Sequence, residues 1–141
     1  MQIGFSVRLP GDAHSVPFMR ALCRQALEHL GVDRMCVDEI TLALSEACAN
    51  AVQHAGGRED YEVEMQIDDA DCRISVIDRG AGFPATVAGD GVRSLDDDGS
   101  GLVLMRALVD DLDFRLDPDG RHRVTLVKHL GLTPRTVTPS A

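Results

Sequence analysis

The period of the hydrophobic pattern along this chain switches from two to about 3.6 and back, and the order of the switches leaves few architectures open. Gln2 to Leu9 alternates Ile3, Phe5, Val7 and Leu9 with Gln2, Gly4, Ser6 and Arg8, as a half-buried strand does, and Pro10-Gly11 then punctuates it. From Ser15, an N-cap ahead of a first-turn Pro17, the residues Phe18, Leu22, Ala26 and Leu30 recur at helical spacing until Gly31 stops the run. Asp33 caps a longer helix that reaches about Ala55, because Val37, Ile40, Leu44, Cys48, Ala51 and Ala55 share one arc, and Gly56-Gly57 ends it. Tyr61 to Ile67 alternates again. After the turn Asp68-Asp69-Ala70-Asp71, the run Cys72, Ile74, Val76 completes an antiparallel hairpin, the second strand reading as Arg73 to Ile77. Leu102 to Leu108 reads as a helix, and strands near Leu112 to Leu116 and Val124 to Leu130 are joined through Asp117-Pro118-Asp119-Gly120.

Strands in runs, helices kept apart and no alternating βαβ units imply an α+β two-layer sandwich. The sheet is expected to be mixed and mostly antiparallel, with helices on one face. With 141 residues, 44% of them hydrophobic, the chain suits one domain over residues 1–130, followed by a mobile tail at 131–141. The 14 basic against 23 acidic residues give a net charge of -9 with no Lys/Arg cluster, which argues against direct nucleic-acid binding. Cys23, Cys36, Cys48 and Cys72 stand singly, so buried free thiols are expected rather than a zinc site or disulfides. No window approaches the roughly 18 apolar residues of a membrane span, and the expected location is the cytoplasm.

Three short patterns carry chemistry. Glu46, Asn50 and His54 fall at i, i+4 and i+8 of the second helix and form a polar stripe beside its buried arc. An Asn carbonyl is a hard ligand for Mg²⁺, which keeps waters and phosphate oxygens as its other ligands, and a carboxylate one turn away suits a general base. The same stripe also suits a plain solvated face. Asp78-Arg79-Gly80-Ala81-Gly82 follows a strand, where a fixed carboxylate can accept from an exocyclic amine such as that of adenine and glycines let backbone approach a flat ring; a simple turn reads the same way. Gly99-Ser100-Gly101-Leu102 stands immediately before a helix, where backbone amides and the dipole favour phosphate, or where Ser100 merely caps. Between the last two, residues 79 to 98 hold Gly80, Gly82, Pro84, Gly89, Gly91 and the acidic run Asp96-Asp97-Asp98 without sustained period, and a loop that long in a small domain tends to be functional. The conjunction, in this order, favours a nucleotide site over three unrelated coincidences.

Glu46-Ala-Cys-Ala-Asn50-Ala-Val-Gln-His54 resembles the N box of the GHKL (histidine kinase-like, Bergerat-fold) ATPases. Asp78-x-Gly80-x-Gly82 resembles their first glycine box, and Gly99-x-Gly101-Leu102 their second. The short length, the opening strand with Pro10, the helix with Pro17 and Arg20, and Leu104-Met105-Arg106-Ala107-Leu108 resemble the bacterial anti-sigma factor serine/threonine kinases within that superfamily. The resemblance implies ATP and Mg²⁺ as cofactors, with Asn50 on the metal, Glu46 as catalytic base toward a serine hydroxyl and Asp78 on adenine. It further implies that Gly80 and Gly82 line the base pocket, residues 83–98 form the ATP lid, and Gly99, Ser100 and Gly101 meet the phosphates, with His54 and Leu102 completing the boxes. Its implied partners are a sigma factor, an anti-anti-sigma factor of STAS type as phosphorylation substrate, and a second copy of the chain.

The sequence departs from the family pattern at two places. Gly120-Arg121-His122-Arg123 stands where the family enters its last strand with a Thr near the nucleotide, Thr125 being too far along, and Asp96-Asp97-Asp98 would lie close to the triphosphate with only Arg93 to offset it. The alternative reading is therefore a nucleotide-poor partner-binding module of the same fold without significant kinase activity. A histidine-kinase module lacks its dimerisation helix here, and a small structural α+β protein would show no nucleotide-dependent stabilisation.

Overall fold

The computed structural model describes residues 2–55, 59–79 and 99–130. Along the chain run β1 (Ile3–Leu9), α1 (Ser15–His29), α2 (Arg34–Ala55), β2 (Tyr61–Ile67), β3 (Asp71–Asp78), α3 (Gly99–Leu108), β4 (Asp111–Leu116) and β5 (His122–His129). The strands form one sheet in the order β1-β2-β3-β5-β4, and every ladder is antiparallel. The expected α+β sandwich with a mostly antiparallel sheet is present, and the parallel component that a mixed sheet allows is absent from the described ladders. Since β5 opposes both β3 and β4, those two strands point the same way, and β3-α3-β4 is a βαβ unit after all. β5 inserts between its strands, so no parallel ladder forms.

The period-2 pattern sets the two faces. Tyr61, Val63, Met65 and Ile67 of β2, Cys72, Ile74 and Val76 of β3, and Val124 and Leu126 of β5 are buried with the helices. The other face is polar and stitched by ion pairs. Glu62 joins Arg8 (3.3 Å) to Arg121 (2.8 Å), Arg123 bridges Glu64 (2.9 Å) and Asp117 (3.2 Å), and the Ser75 and Thr125 hydroxyls lie 2.9 Å apart. Such a face holds strand register more than it adds stability, because exposed pairs of this kind contribute little each.

Asp33 caps α2 as its position implies, its Oδ2 accepting from the Met35 and Cys36 amides at 3.1 and 3.4 Å. Val37, Ile40, Leu44, Cys48 and Ala51 form the expected buried arc. Two expectations for α1 are corrected. Ser15 is the first helical residue rather than the N-cap, which is His14; its hydroxyl donates to the Asp12 carbonyl at 2.7 Å and lies 2.7 Å from the Tyr61 hydroxyl. The buried seam is Ser15, Met19, Cys23 and Leu27, not the Phe18 row, and Phe18 is 57% exposed. The two rows are one residue apart on the helix, and the small Ser15 and Cys23 permit the close approach to the core that a Phe at the seam would block.

Several boundaries shift. β3 extends to Asp78, and α3 starts at Gly99, so Gly99-Ser100-Gly101 is its first turn rather than a preceding loop. β4 and β5 begin at Asp111 and His122. Gly120 adopts φ +88° in their turn and its amide donates to the Asp117 carbonyl at 2.9 Å. All four cysteines are buried and free. Gly56-Gly57 and the tail from Gly131 lie outside the described residues.

Candidate nucleotide site

α2 builds both the core and the rim of the site. Its polar stripe borders the buried arc: Asn50 is only 8% exposed, while Glu46 and His54 are half-buried, and Ala47, Cys48 and Ala51 beside them are in the core. The backbone carrying Glu46 and Asn50 is therefore held by packing rather than by a loop.

α3 comes to this stripe at its N-terminal end. Leu102, 4% exposed, and the fully buried Met105 anchor α3 in the same core as α2. A Cβ built on Gly101 would lie 2.6 Å from Glu46 Oε1, so the carboxylate rests directly against the first turn of α3. First-turn amides of a helix have no acceptor within the helix, and the positive end of the dipole is there as well, so this junction suits anionic oxygen. Leu102 turns its side chain into the core.

Asp78 closes β3 on the helix-facing side, 5% exposed, directly opposite His122 of β5. α2 packs on β3, so Asn50 and Asp78 sit on adjoining elements. A charged cavity of about 410 Å³ opens at this end of the sheet, bordered by Asp78 with Arg8, Glu62, Arg79 and Arg121. Neither Glu46 nor Asn50 borders it. Burial raises the thiols of Cys48 and Cys72 to about 12, which keeps them protonated and removes them as nucleophiles.

Residues 9–128 match the family described as Histidine kinase-like ATPase domain. The chain belongs to this family. Among relatives of this histidine kinase-like ATPase domain, the serine-protein kinase RsbW of Bacillus velezensis is 28% identical over 137 residues, spanning 88% of this chain and 84% of that protein. The serine-protein kinase RsbW of Bacillus pumilus is 30% identical over 122 residues, spanning 76% and 75%. Two solved structures share the fold. The RsbU and RsbW domains of a Mycobacterium tuberculosis protein superpose with a TM-score of 0.68 at 26% identity, covering 91% of this chain and 32% of that longer one. The SiaB–SiaC complex from Pseudomonas aeruginosa gives 0.67 over 87% of this chain and 88% of the other, a likeness of fold alone at 12% identity.

Within this ATPase domain the structure brings Glu46 to Gly101, keeps Asn50 and His54 in one stripe and sets Asp78 at a strand end. Gly80, Gly82 and the lid at 83–98, with Arg93 and Asp96-Asp97-Asp98, lie outside the described residues. Thr125 is on the far face of the sheet, bonded to Ser75, and His122 takes the place beside Asp78. Sequence reasoning identified the Gly-x-Gly but not what Gly101 touches. It also missed the pairing of His122 with Asp78, which joins β5 to β3, two strands not consecutive in the chain. No helix among the described residues is long and apolar enough to cross a membrane.

Proposed function

We propose that this chain is an ATP- and Mg²⁺-dependent protein serine kinase of the cytoplasm that also acts as an anti-sigma factor. It holds a sigma factor and phosphorylates a STAS-type anti-anti-sigma partner on serine. The observation that carries this reading is the Glu46 carboxylate at the opening of α3, one turn along α2 from a buried Asn50. The serine-protein kinase relatives support it from outside the site.

The residues fit a magnesium nucleotide. Among the described residues no three His, Cys, Asp or Glu side chains converge as a metal cage, and an Asn carbonyl with phosphate oxygens and water is the donor set that Mg²⁺ accepts without one. When bound, Mg·ATP supplies the phosphoryl group and offsets phosphate charge. Asn50 Oδ1 would hold the metal, Asp78 would accept from the adenine amine, with Gly80 and Gly82 as the proposed lining of the base pocket, and the first-turn amides of Gly99, Ser100 and Gly101 would receive phosphate oxygens. Glu46 orients the serine hydroxyl and takes its proton, while His54 and Leu102 support the two boxes from α2 and α3. Positioning and charge supply most of the rate in phosphoryl transfer, so a fixed base on a packed helix is a sufficient contribution from the protein. Among the described strands β1 is at an edge of the sheet, which supports homodimer formation through it.

The test is transfer of label from γ-labelled ATP to a STAS-type partner. Glu46→Gln is expected to lower the transfer rate by about 10²- to 10⁴-fold, the usual share of a general base, and to keep nucleotide binding. Equal rates for the variant and wild type would remove Glu46 as base. The binding-module reading is favoured at one point, since His122 stands beside Asp78 where the family pattern has Thr, and weak adenine binding by wild type would select it.

A further inference from the structure

We propose that Gly101 is the positioning residue for the Glu46 carboxylate: the side chain it lacks is the space in which that carboxylate rests. The inference rests on Glu46 acting as base, and it assigns Gly101 a role separate from offering a backbone amide to phosphate.

Glycine is demanded at a position either by backbone conformation or by a close neighbour. Backbone conformation does not demand it here. Gly101 is inside α3 with a helical φ that any residue adopts, and the positive-φ glycines among the described residues are Gly31 and Gly120. The neighbour is specific: a Cβ at 101 would lie 2.6 Å from Glu46 Oε1 and 3.7 Å from Glu46 Cδ, with no backbone atom nearer. A contact of 2.6 Å cannot persist, so one party must move.

The helices are the worse candidates to move. α3 is fixed by Leu102 and Met105 in the core, and α2 by Leu44, Ala47 and Cys48 on its buried side. The free end of Glu46 turns about single bonds and yields first. An added methyl group at 101 therefore leaves the fold in place and displaces the carboxylate by about an ångström, a misplacement that can cost on the order of 10²-fold in rate. In the reaction the serine O–H proton passes to the Glu46 carboxylate as the serine oxygen bonds to phosphorus and the bond from phosphorus to the ADP oxygen breaks. A carboxylate turned away from the hydroxyl cannot take that proton at the moment of transfer.

This differs from a structural glycine in sign. Alanine is the better helix former, so a residue of merely structural importance would lose stability and activity together, whereas Gly101→Ala should hold or gain stability and lose activity.

The experiment uses the full chain as wild type, Gly101→Ala, Glu46→Ala and the double variant. Melting without nucleotide, ATP affinity, and single-turnover phosphoryl transfer to a STAS-type partner are measured for each. Gly101→Ala is expected to melt at or above wild type, to bind ATP within a few-fold of wild type, and to transfer about 10²-fold more slowly. In the Glu46→Ala background the same change is expected to have no further effect on transfer, because residues acting as one unit are not additive. Without Glu46 it should also raise the melting temperature more than with it. Full transfer by Gly101→Ala beside an active wild type overturns this inference alone, as does an equal loss in both backgrounds or a fall in ATP affinity that accounts for the loss. Additive melting shifts remove the contact itself, independently of any activity. Absence of transfer by wild type removes the kinase reading, and this one with it.

Discussion

Replacing Asn50 with Ala tests the metal site without any partner protein. At 100 times its dissociation constant, Mg·ATP adds about 2.7 kcal/mol to the folded state. Unfolding entropy near the midpoint is about 2.1 cal/mol/K per residue, so 141 residues correspond to about 0.3 kcal/mol/K and the ligand should raise the melting temperature by about 9 °C. Asn50 is 8% exposed on a helix whose neighbouring residues are core, and Ala is the better helix former there, so the unliganded variant should melt within a few degrees of wild type. If loss of the Oδ1 ligand weakens binding a hundredfold, the same nucleotide concentration is then about equal to the dissociation constant. The stabilisation falls to about 0.4 kcal/mol, little more than 1 °C. The assay is differential scanning fluorimetry of both proteins with ATP, with and without Mg²⁺, plus an EDTA control. A full 9 °C rise in Asn50→Ala, or the same rise for wild type in EDTA, would refute the assignment of the metal to Asn50.

Two further outcomes follow from the scaffold. The Ser15 hydroxyl donates to the Asp12 carbonyl, so its contact with Tyr61 must be accepted from the phenol, which leaves the two partners unequal. Tyr61→Phe removes one donor for about 0.5–1.5 kcal/mol, whereas Ser15→Ala removes the oxygen acceptor of a buried phenol, leaves it only the weaker Cys48 thiol and should cost about 1–3 kcal/mol by urea denaturation; the reverse order would contradict the donor assignment. His129 Nδ1 lies 2.7 Å from Asp71 Oδ1, and that hydrogen bond, followed by the charge of Asp110, holds the imidazolium above its usual pKa. Because the folded pKa is the higher one, the pair contributes fully below the unfolded value of about 6.5 and its contribution is lost as pH rises through the folded pKa. Wild type and His129→Gln should therefore differ most in stability under mildly acidic conditions and converge at alkaline pH, and an NMR titration placing His129 at or below about 6.5 would count against it.

How far the sequence could be read depends on which interaction set each feature. The strands and α2 were legible because alternation and a long helical arc are imposed by one large neighbour, the core, and five of the residues read as the α2 arc are indeed buried. The seam of α1 was not, since Phe18 is more hydrophobic than Ser15 or Cys23 and composition alone favours the wrong row. The start of α3 was misplaced for a related reason: two glycines disfavour a helix by propensity, and burial of Leu102 and Met105 overrides them. The mostly antiparallel direction was legible, but not the strand order, because β5 returns between β3 and β4, an event of topology that leaves no local signal. Of the candidate site, Glu46, Asn50 and Asp78 stand in the sequence as residue types at a spacing. The contact that gives Gly101 its meaning joins residues 55 positions apart and needs the packed structure.

The division of labour in α2 has a consequence for how this site can change. Asn50 lies between Cys48 and Ala51, both within 2% of full burial, so its backbone cannot shift without disturbing the core, and its chemistry can vary only by substitution. Asp78 is held the same way, at the end of a strand whose Ile74, Val76 and Ile77 are each 1% exposed. Glu46 differs, being half-buried with its carboxylate at the free end of a flexible chain against α3. The backbone of the two proposed nucleotide groups is thus fixed by the core, whereas the proposed base depends on the approach of two helices. Loss of transfer with retained folding and nucleotide binding is then expected from one small change at Gly101 or Glu46, whereas Asn50→Ala is expected to lose binding with folding retained. A change at the proposed base would leave a partner-binding module that still holds nucleotide, and a change at Asn50 would leave one that does not. The measurement that decides is the ratio of lost transfer to lost ATP affinity across substitutions at positions 46, 50, 78 and 101.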